Sequence, residues 1–323
     1  MSLPALRPAT EPTLYFIGVT TGSSSILKVF PRWSEALGLG ARIVGIDLPL
    51  HAPAEDYRRV VSFIKDDPLS RGALVTTHKI DCFRAARDLF EEIEPLAELM
   101  GEMSCISKHG DRLVASAKDP LTSGLAIAAI VPAGHFARTG AEALAIGAGG
   151  ASIAITWNLM NAALRGRDRP ARITVSDISA ERLEEIRHVH ARFDSDVPVE
   201  YVLARSREDN DALMAALPTG SLVVNATGLG KDGPGSPVTD TAVFPEGGYA
   251  WELNYRGDLV FLRQARAEAD RRGLTVADGW VYFLHGWTRV IADVFARDIP
   301  TSGPAFERLS ELAGGRPAPH PAA

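Results

Sequence analysis

The chain has few cysteines, no excess of positive charge and no long apolar segment, and each of these shortages excludes a class of protein. Cys82 and Cys105 are its two cysteines, and neither stands in a CxxC pair, which argues against both a disulfide framework and a zinc site. A formal net charge of −6 argues against a surface that coats nucleic acid. The longest apolar run, at residues 125–131, is too short to cross a bilayer.

What remains is the composition of an ordinary globular protein. Of the 323 residues, 46% are hydrophobic and 23% are charged, as in most soluble domains. Residues 1–13 lack the basic segment and apolar stretch of a signal peptide, and the scarce cysteines suit a reducing compartment. We therefore expect a soluble cytoplasmic protein with no nucleic acid or membrane partner. We expect two domains, because a chain of this length exceeds the usual size of one core.

Apolar segments of strand length alternate with helical segments in two successive blocks. The strand-like segments of the first block lie at residues 14–20, 41–47 and 72–77. Those of the second block lie at residues 143–146, 173–176, 198–202, 221–225 and 248–253. Such alternation predicts βαβ units and parallel sheets. Between the two blocks, residues 105–117 have the pattern of a hairpin that turns at Gly110.

A glycine cluster follows the first strand of the second block and opens a helix. The segment Gly147-Ala-Gly149-Gly150-Ala151-Ser152 stands in the strand-to-helix context that a dinucleotide fingerprint requires. Gly147 would form the tight turn, Gly149 would let the backbone approach the pyrophosphate, and Ser152 would let helix and strand pack closely. The free N–H groups at the start of the helix would face the phosphates. The alternative is a purely structural turn.

The next strand of this block ends at Asp177. A carboxylate in that position accepts hydrogen bonds from the ribose hydroxyls of NAD and repels the 2′-phosphate of NADP, so Asp177 favours NAD over NADP. Two alternatives stay open: Asp177 could cap the following helix, and Arg182 nearby could attract a phosphate.

A second loop with glycines begins at the end of another strand, with Asn225, Ala226 and Thr227. In open α/β folds, ligands bind beyond the carboxyl ends of the strands, which makes these three residues candidates for cofactor binding. Their alternative is an ordinary turn.

Lys79 and Asp119 are candidates for proton transfer. Lys79 follows the third strand, and Asp119 follows the predicted hairpin. When an alcohol loses a hydride, its O–H proton must also leave, so a base or proton relay must contact that oxygen. A carboxylate that orients a lysine can do this. Spacing alone leaves ordinary solvated surface as the alternative for both residues.

Six short segments, in this order, resemble the shikimate/quinate dehydrogenase family across nearly the whole chain. They are a Ser-rich loop at residues 18–25, a VTxPxK-like segment at 75–79, an NTDxxG-like segment at 117–124, a GAGGA-like turn at 145–152, a NATxxG-like loop at 225–230 and an acidic residue followed by a tyrosine at 252–255. The resemblance implies an NAD(P)-dependent dehydrogenase that acts on a CH–OH group of a small carboxylated cyclic polyol. It also implies a role in aromatic amino acid biosynthesis or quinate metabolism.

The resemblance also implies roles for particular residues. Ser23 and Ser25 match the two serines that hold the substrate carboxylate. Lys79 matches the catalytic lysine, and Asp119 matches the aspartate that partners it. The proton relay suggested by the residue types is therefore the one that the family uses.

Several motifs depart from the family pattern. The His and Pro of its HSxSP loop and the proline of VTxPxK are absent, and Ala117 and Lys118 replace the Asn and Thr of NTDxxG. Residues 104–107 replace the AVNT segment, whose asparagine contacts substrate hydroxyls. A retained Lys/Asp pair with altered polyol contacts predicts a relative with a changed substrate.

Four more residues are expected to contact the substrate. By resemblance, Thr76 and Tyr255 line the cleft. Ser107 and His285 lie near the family's substrate-binding asparagine and glutamine, and they are candidates to replace those contacts. For His285 the alternative is a packed core histidine.

The fold class we expect is α/β. An N-terminal α/β substrate-binding domain would occupy residues 1–125, and a Rossmann-type doubly wound parallel sheet would occupy residues 126–278. C-terminal helices in residues 279–323 would pack on the first domain and end in a frayed tail. A homodimer is the oligomeric state we consider.

Two other functions stay open. One is an amino-acid or methylenetetrahydrofolate dehydrogenase of the same two-domain plan, which would not need the serine loop. The other is a non-catalytic ligand sensor descended from a dehydrogenase. Retention of both Lys79 and Asp119 speaks against a sensor, because binding alone does not need a proton relay.

Overall fold

Two compact units account for the described part of the chain, which in this computed structural model comprises residues 5–231 and 233–315. The first unit contains residues up to 118 together with those from 286 onward, and residues 119–285 form the second. Each unit contains a sheet and several helices, so the predicted α/β fold class is confirmed. In the described ranges, no helix has the length and apolarity needed to cross a membrane.

The first unit is built on a mixed sheet of six strands. The strands are β1 (Thr13–Gly18), β2 (Arg42–Asp47), β3 (Ser70–Val75), β4 (Glu92–Ile93), β5 (Cys105–His109) and β6 (Arg112–Ser116). The helices between them are α1 (Ile26–Ala36), α2 (Ala54–Asp66), α3 (Lys79–Ala86) and α4 (Pro95–Met100). The strand order is β2-β1-β3-β5-β6-β4, with β1 parallel to β2 and β3. β5 and β6 form the predicted antiparallel hairpin.

Burial explains why the sequence of β1 is apolar without alternation. All six of its residues are buried, and the strand lies between β2 and β3. Parallel strands that are buried on both faces carry continuous apolar runs. Helix α1 instead shows helical spacing, because only one of its faces, with Val29, Phe30 and Trp33, is buried.

The second unit is built on a sheet of six parallel strands. The strands are β7 (Ala143–Ile146), β8 (Ile173–Asp177), β9 (Val199–Leu203), β10 (Leu222–Asn225), β11 (Tyr249–Glu252) and β12 (Thr275–Ala277). The helices are α5 (Asp119–Ile130), α6 (His135–Thr139), α7 (Gly150–Met160), α8 (Ala162–Arg165), α9 (Ala180–His190), α10 (Arg207–Ala215) and α11 (Val260–Arg272).

The order of these strands is β12-β11-β10-β7-β8-β9. The chain starts in the middle at β7, moves outward to β9, and then returns to β10 on the other side of β7. This is the doubly wound order of a Rossmann sheet, and its direction reverses between β7 and β10. Ligands of such sheets bind at this switch point, beyond the carboxyl ends of the strands.

The last two helices return the chain to the first unit. Helix α12 (Trp280–Val294) begins in the second unit and ends in the first, and α13 (Pro304–Leu312) follows it. The buried Trp33 donates its indole N–H to the Leu309 carbonyl at 2.8 Å. Trp287 meets Phe16 of β1 edge to face, with 5.0 Å between ring centroids. These contacts confirm the expectation that the C-terminal helices pack on the N-terminal part of the chain.

An ion network around the buried Lys118 also holds α12 in the first unit. The Lys118 Nζ lies 3.1 Å from an Asp293 carboxylate oxygen of α12 and 3.2 Å from one of Glu94. The same Asp293 oxygen accepts hydrogen bonds from the hydroxyls of Ser107 at 2.9 Å and Ser116 at 3.2 Å. Burial alone would raise the pKa of Asp293, but the Lys118 ammonium and the Ser107 hydroxyl hold it below its usual value. The network therefore joins α12 to the hairpin and to the segment that enters α5.

Removing the lysine tests how much this network stabilises the fold. Lys118→Met leaves two carboxylates without their common cation, and we expect the free energy of unfolding to fall by about 1–3 kcal/mol at neutral pH. Urea denaturation measures this. Because the pKa of Asp293 is depressed, its contribution is lost as pH falls through that pKa, so the difference from the unmodified protein should shrink below about pH 4.

The matched control removes a lysine from a more exposed pair. Lys65 pairs with Glu91, and the two side chains are 29% and 37% exposed, so Lys65→Met should cost less than about 1 kcal/mol. If Lys118→Met is no more destabilising than Lys65→Met, the network does not anchor α12.

Candidate functional site

The turn after β7 is fixed by a close approach to the turn after β10. Gly147 has a φ of 103°, and a Cβ added there would lie 3.0 Å from the carbonyl of Ala226. Its N–H donates to the Ser176 carbonyl at 2.7 Å. A side chain would suffer both the positive φ and the contact, so the position requires glycine. The structure therefore contains the tight turn that the sequence predicts at Gly147.

The start of α7 faces open space. Gly149 caps the helix, and Gly150 and Ala151 form its first turn. Apart from its two chain neighbours, no described residue has an atom within 4 Å of a Cβ added at Gly149. Ser152 is fully buried, and its hydroxyl donates to the Gly147 carbonyl. The Ser152 hydroxyl thus fixes the turn on its buried side, and the space at Gly149 lies beside the free N–H groups of the helix start. An anion site at a helix start requires both such space and such N–H groups.

Asp177 braces the same turn from the neighbouring strand. One carboxylate oxygen accepts from the Ala148 N–H at 2.7 Å, and the other accepts from the Ser179 N–H at 2.8 Å. The N-cap of α9 is Ser179, whose hydroxyl accepts from the Arg182 N–H at 3.3 Å. The helix-capping alternative therefore applies to Ser179. The next residue after the carboxylate, Ile178, is 80% exposed.

The loop after β10 depends on a buried chain of polar groups. The side-chain oxygen (Oδ1) of Asn225 accepts from the N–H of Thr227 at 3.1 Å and from its hydroxyl at 2.6 Å. The Asn225 amide donates to a Glu252 oxygen at 2.7 Å. The Ala226 N–H donates to the Ile146 carbonyl at 2.8 Å, which ties this loop to β7. Asn225, Ala226 and Thr227, the three residues singled out from the sequence, thus make the hydrogen bonds that fix the conformation of this loop.

In the first unit, the serine loop after β1 is held by a carboxylate of β2. Asp47 accepts from the N–H of Thr21 at 2.8 Å and from its hydroxyl at 2.6 Å. Thr21 lies so close to Gly45 that a Cβ there would be 2.0 Å from its hydroxyl. Ser23 is exposed, with its hydroxyl donating to the Thr20 carbonyl at 3.0 Å. Ser25, half-buried at the start of α1, makes no side-chain capping bond.

The junction between β3 and α3 is held by a buried histidine. Thr76 continues the strand, its N–H donating to the Ile17 carbonyl at 3.0 Å, and half-buried Lys79 is the first residue of α3. The imidazole of His78 lies 3.1 Å (Nε2) from the Leu48 carbonyl and 3.0 Å (Nδ1) from the Tyr57 hydroxyl.

The partners of His78 decide its protonation state. A carbonyl can only accept, so Nε2 donates to Leu48 and the hydroxyl of Tyr57 donates to Nδ1. Burial lowers the pKa of His78, which agrees with a neutral ring. Compared with the VTxPxK pattern, this segment lacks the proline and is one residue shorter. The histidine in its place fixes the backbone that presents Lys79.

Comparison with known proteins finds relatives of one kind. No family model matches the chain. The shikimate dehydrogenase (NADP(+)) of Methylocella silvestris is 27% identical over 304 residues, which is 94% of this chain and 97% of that enzyme. The match to the enzyme of the same name from Streptococcus gordonii, 28% identical, covers 60% of this chain and 62% of that enzyme, less than two thirds of its length.

Solved structures agree with the sequence relatives. Quinate dehydrogenase from Corynebacterium glutamicum, solved in complex with NAD, has a TM-score of 0.71 at 19% identity and covers 94% of this chain and 98% of its own. In sequence and in fold, the chain is similar to shikimate and quinate dehydrogenases.

This similarity does not by itself place the remaining site residues. Ser107 is buried, and its hydroxyl donates to Asp293. Asp119 is the first residue of α5 and belongs to the second unit, whereas Lys79 belongs to the first. The substrate contact of Ser107 and the pairing of Lys79 with Asp119 stay predictions.

Two further candidates lie in an aromatic region of the second unit. The Tyr255 ring is 4.6 Å from that of Phe283 and 5.9 Å from that of Trp280, between centroids. His285 is 3% exposed on α12. Their substrate contacts stay predictions as well.

Glu252 is a further polar residue of this region, for which the sequence motifs predict no role. It is fully buried at the end of β11 and accepts hydrogen bonds from Asn225 and Asn254. The sequence carries a signal for it: an acidic residue directly after Tyr249-Ala-Trp, a strand in which every residue is buried. An ionisable group in such a strand needs polar partners, and functional sites often contain one.

Two glycine variants separate phosphate binding from folding. Gly149→Ala places a methyl group in the open space before α7 without backbone strain, so we expect dinucleotide affinity to fall at least about tenfold with little change in thermal stability. Gly38→Ala introduces a side chain at a φ of 62° with no close contact. It should cost about 1 kcal/mol of stability and leave dinucleotide affinity unchanged.

Calorimetric titration with NADH and thermal denaturation measure the two effects. Unchanged NADH affinity in Gly149→Ala would mean that the space before α7 is not the phosphate site.

Proposed function

We propose that this protein is an NAD(P)-dependent oxidoreductase that interconverts a secondary alcohol and a ketone on a small carboxylated cyclic polyol, similar to shikimate or quinate. The observation that carries the proposal is the braced turn at Gly147, with the free start of α7 before it, at the switch point of a Rossmann sheet. The relatives support the same chemistry by their names. A cytoplasmic homodimer is part of the proposal, and sedimentation velocity tests the dimer.

The second unit would bind the dinucleotide, which supplies the hydride acceptor or donor. The N–H groups at Gly149, Gly150 and Ala151 would face the pyrophosphate, and the loop at Asn225 would border the second nucleotide half. Asp177, next to this turn, would accept hydrogen bonds from the ribose hydroxyls. We propose NAD over NADP, because a carboxylate repels a 2′-phosphate and the adjacent Ile178 offers no cation.

Neutralising Asp177 tests this preference. Asp177→Asn keeps the shape of the side chain and removes its charge, so the affinity for NADPH relative to NADH should rise at least about tenfold. Asp270→Asn changes the net charge equally at an exposed position of α11 and should leave the ratio unaltered. A higher kcat/KM with NADP than with NAD in the unmodified protein would contradict the proposed role of Asp177.

The first unit would bind the substrate. The bonds from Thr21 to Asp47 fix the loop that carries Ser23 and Ser25 at the start of α1, where hydroxyls and helix N–H groups favour a carboxylate. Lys79, presented by the His78 junction, would transfer the proton of the reacting hydroxyl.

Other residues would complete the site. Thr76, Ser107, Tyr255 and His285 are proposed to line the substrate region, and Asp119 to orient Lys79. The absence of the family's AVNT asparagine supports a polyol that differs from shikimate in its hydroxyl pattern.

A panel of cyclic hydroxy acids tests the whole proposal. Formation of NADH or NADPH is followed with shikimate, quinate and related acids, each with both dinucleotides. Turnover of a carboxylated polyol other than shikimate is the expected result. Binding of acid and dinucleotide without turnover of any panel member would favour a ligand sensor, and turnover of amino acids would favour the other dehydrogenase class.

Lys79 carries the mechanistic prediction. Lys79→Met should lower turnover about 10²–10⁴-fold, the usual contribution of general acid–base catalysis, with a smaller effect on KM. Dinucleotide affinity should stay nearly constant, because the cofactor residues lie in the other unit. Asp119→Asn should act in the same direction, and the double variant should be less than additive if the two residues act together.

The control for this experiment is again Lys65→Met, which removes a lysine of the same unit from helix α2. It should turn over within a few-fold of the unmodified enzyme. Equal activities of Lys79→Met and Lys65→Met would exclude Lys79 as the proton-transfer group and make His285 the next residue to test.

A further inference from the structure

Glu252 is a buried carboxylate that accepts hydrogen bonds from three N–H groups. One oxygen accepts from the Asn225 side-chain amide at 2.7 Å, and the other accepts from the backbone and side-chain N–H groups of Asn254, both at 2.8 Å. The residue is fully buried. Three N–H groups that point at two oxygens match the ionised form, because a protonated carboxyl would turn an O–H toward donors.

The same residues hold the loop after β10. The Asn254 side chain that donates to Glu252 also donates to the Leu229 carbonyl at 3.2 Å. Asn225, the other donor, accepts from Thr227. Glu252, at the end of β11, is therefore connected to the loop at residues 225–229 through the side chains of Asn225 and Asn254.

The topology places this loop beside one half of the dinucleotide. A Rossmann sheet consists of two mononucleotide-binding halves, here β7 to β9 and β10 to β12. In the proposed function Asp177 of β8 takes the adenosine ribose, so the nicotinamide half falls over β10 and β11. The ring carries a positive charge in NAD⁺ and none in NADH.

We infer that Glu252 is a positioning residue that, as an anion behind the loop at 225–229, makes the site favour the oxidised, cationic nicotinamide over the reduced, neutral one. This inference rests on the proposed function. It assigns to Glu252 an electrostatic effect on the cofactor in addition to its hydrogen bonds. A negative charge in a poorly solvated site attracts a nearby positive charge more strongly than it would in water.

The charge of Glu252 should depend on pH near neutrality. Burial raises its pKa to about 7, against the three donors, which lower it. The charge of Asp278, after β12, also raises the pKa of Glu252. Bound NAD⁺ favours the anion and must lower this pKa, whereas NADH adds no charge to the ring. Binding of NAD⁺ should therefore release protons, and its affinity should increase with pH.

Dinucleotide binding to the full-length protein without substrate tests this. If NAD⁺ lowers the pKa of Glu252 by one unit, its affinity relative to NADH should rise about fivefold from about pH 6 to about pH 8. Calorimetry in buffers of different ionisation enthalpy should then detect release of about 0.4 proton per NAD⁺ at about pH 7, and less for NADH.

Two variants separate charge from packing. Glu252→Gln keeps the size but loses the charge, so both the pH dependence of the affinity ratio and the proton release should disappear. Glu252→Asp keeps the charge and should retain both, even if the looser loop weakens the two dinucleotides alike. Asp270→Asn, far along α11 from this network, should behave like the unmodified protein.

Each outcome decides a different claim. An NAD⁺/NADH affinity ratio that does not change with pH in the unmodified protein overturns the inference and leaves the proposed function intact. The same holds if Glu252→Gln keeps the proton release, since another group then releases the proton. Failure of the unmodified protein to bind either dinucleotide overturns the proposed function, and the inference with it. If Glu252→Gln does not fold, the pH dependence of the unmodified protein and of Glu252→Asp still decides.

Discussion

The approach of two backbone turns at the middle of the second sheet constrains everything proposed for the cofactor. Gly147 after β7 and Ala226 after β10 are so close that no side chain fits between them. This contact exists because β7 and β10 are adjacent parallel strands whose connections leave in opposite directions. It explains why a glycine stands at position 147.

The two sheets solve a common problem in the same way. Some backbone N–H groups in the loops after β1 and β7 have no partner in a strand ladder, so they need other acceptors. In both units an acidic residue at the end of the neighbouring parallel strand provides them. Asp47 of β2 accepts from Thr21 after β1, and Asp177 of β8 accepts from Ala148 after β7. Glu252 of β11 acts on the loop after β10 through the side chain of Asn225.

This pattern also explains what the sequence could and could not predict. Strand and helix alternation, the glycine turn and the fold class follow from local patterns, and the structure confirms them. The hydrogen bonds from acidic side chains to these loops and helices cannot be predicted from local patterns, because they join residues far apart in the chain. In the chain, 26 positions separate Thr21 from Asp47, and 186 separate Ser107 from Asp293. Strand order and register determine which acidic residue faces a given loop. Neither can be deduced from a single sequence.

Asp177 shows how one carboxylate can serve the fold and the cofactor together. The sequence left a cap and a ribose contact as alternatives, yet a carboxylate has about four lone-pair sites. The N–H groups of Ala148 and Ser179 use one site on each oxygen, so one on each oxygen is left for a ribose hydroxyl. The bond to Ala148 also fixes the charge beside the turn where the pyrophosphate would lie. The structural role therefore prepares the proposed binding role, because a carboxylate already held by the turn needs no reorganisation when the ribose arrives.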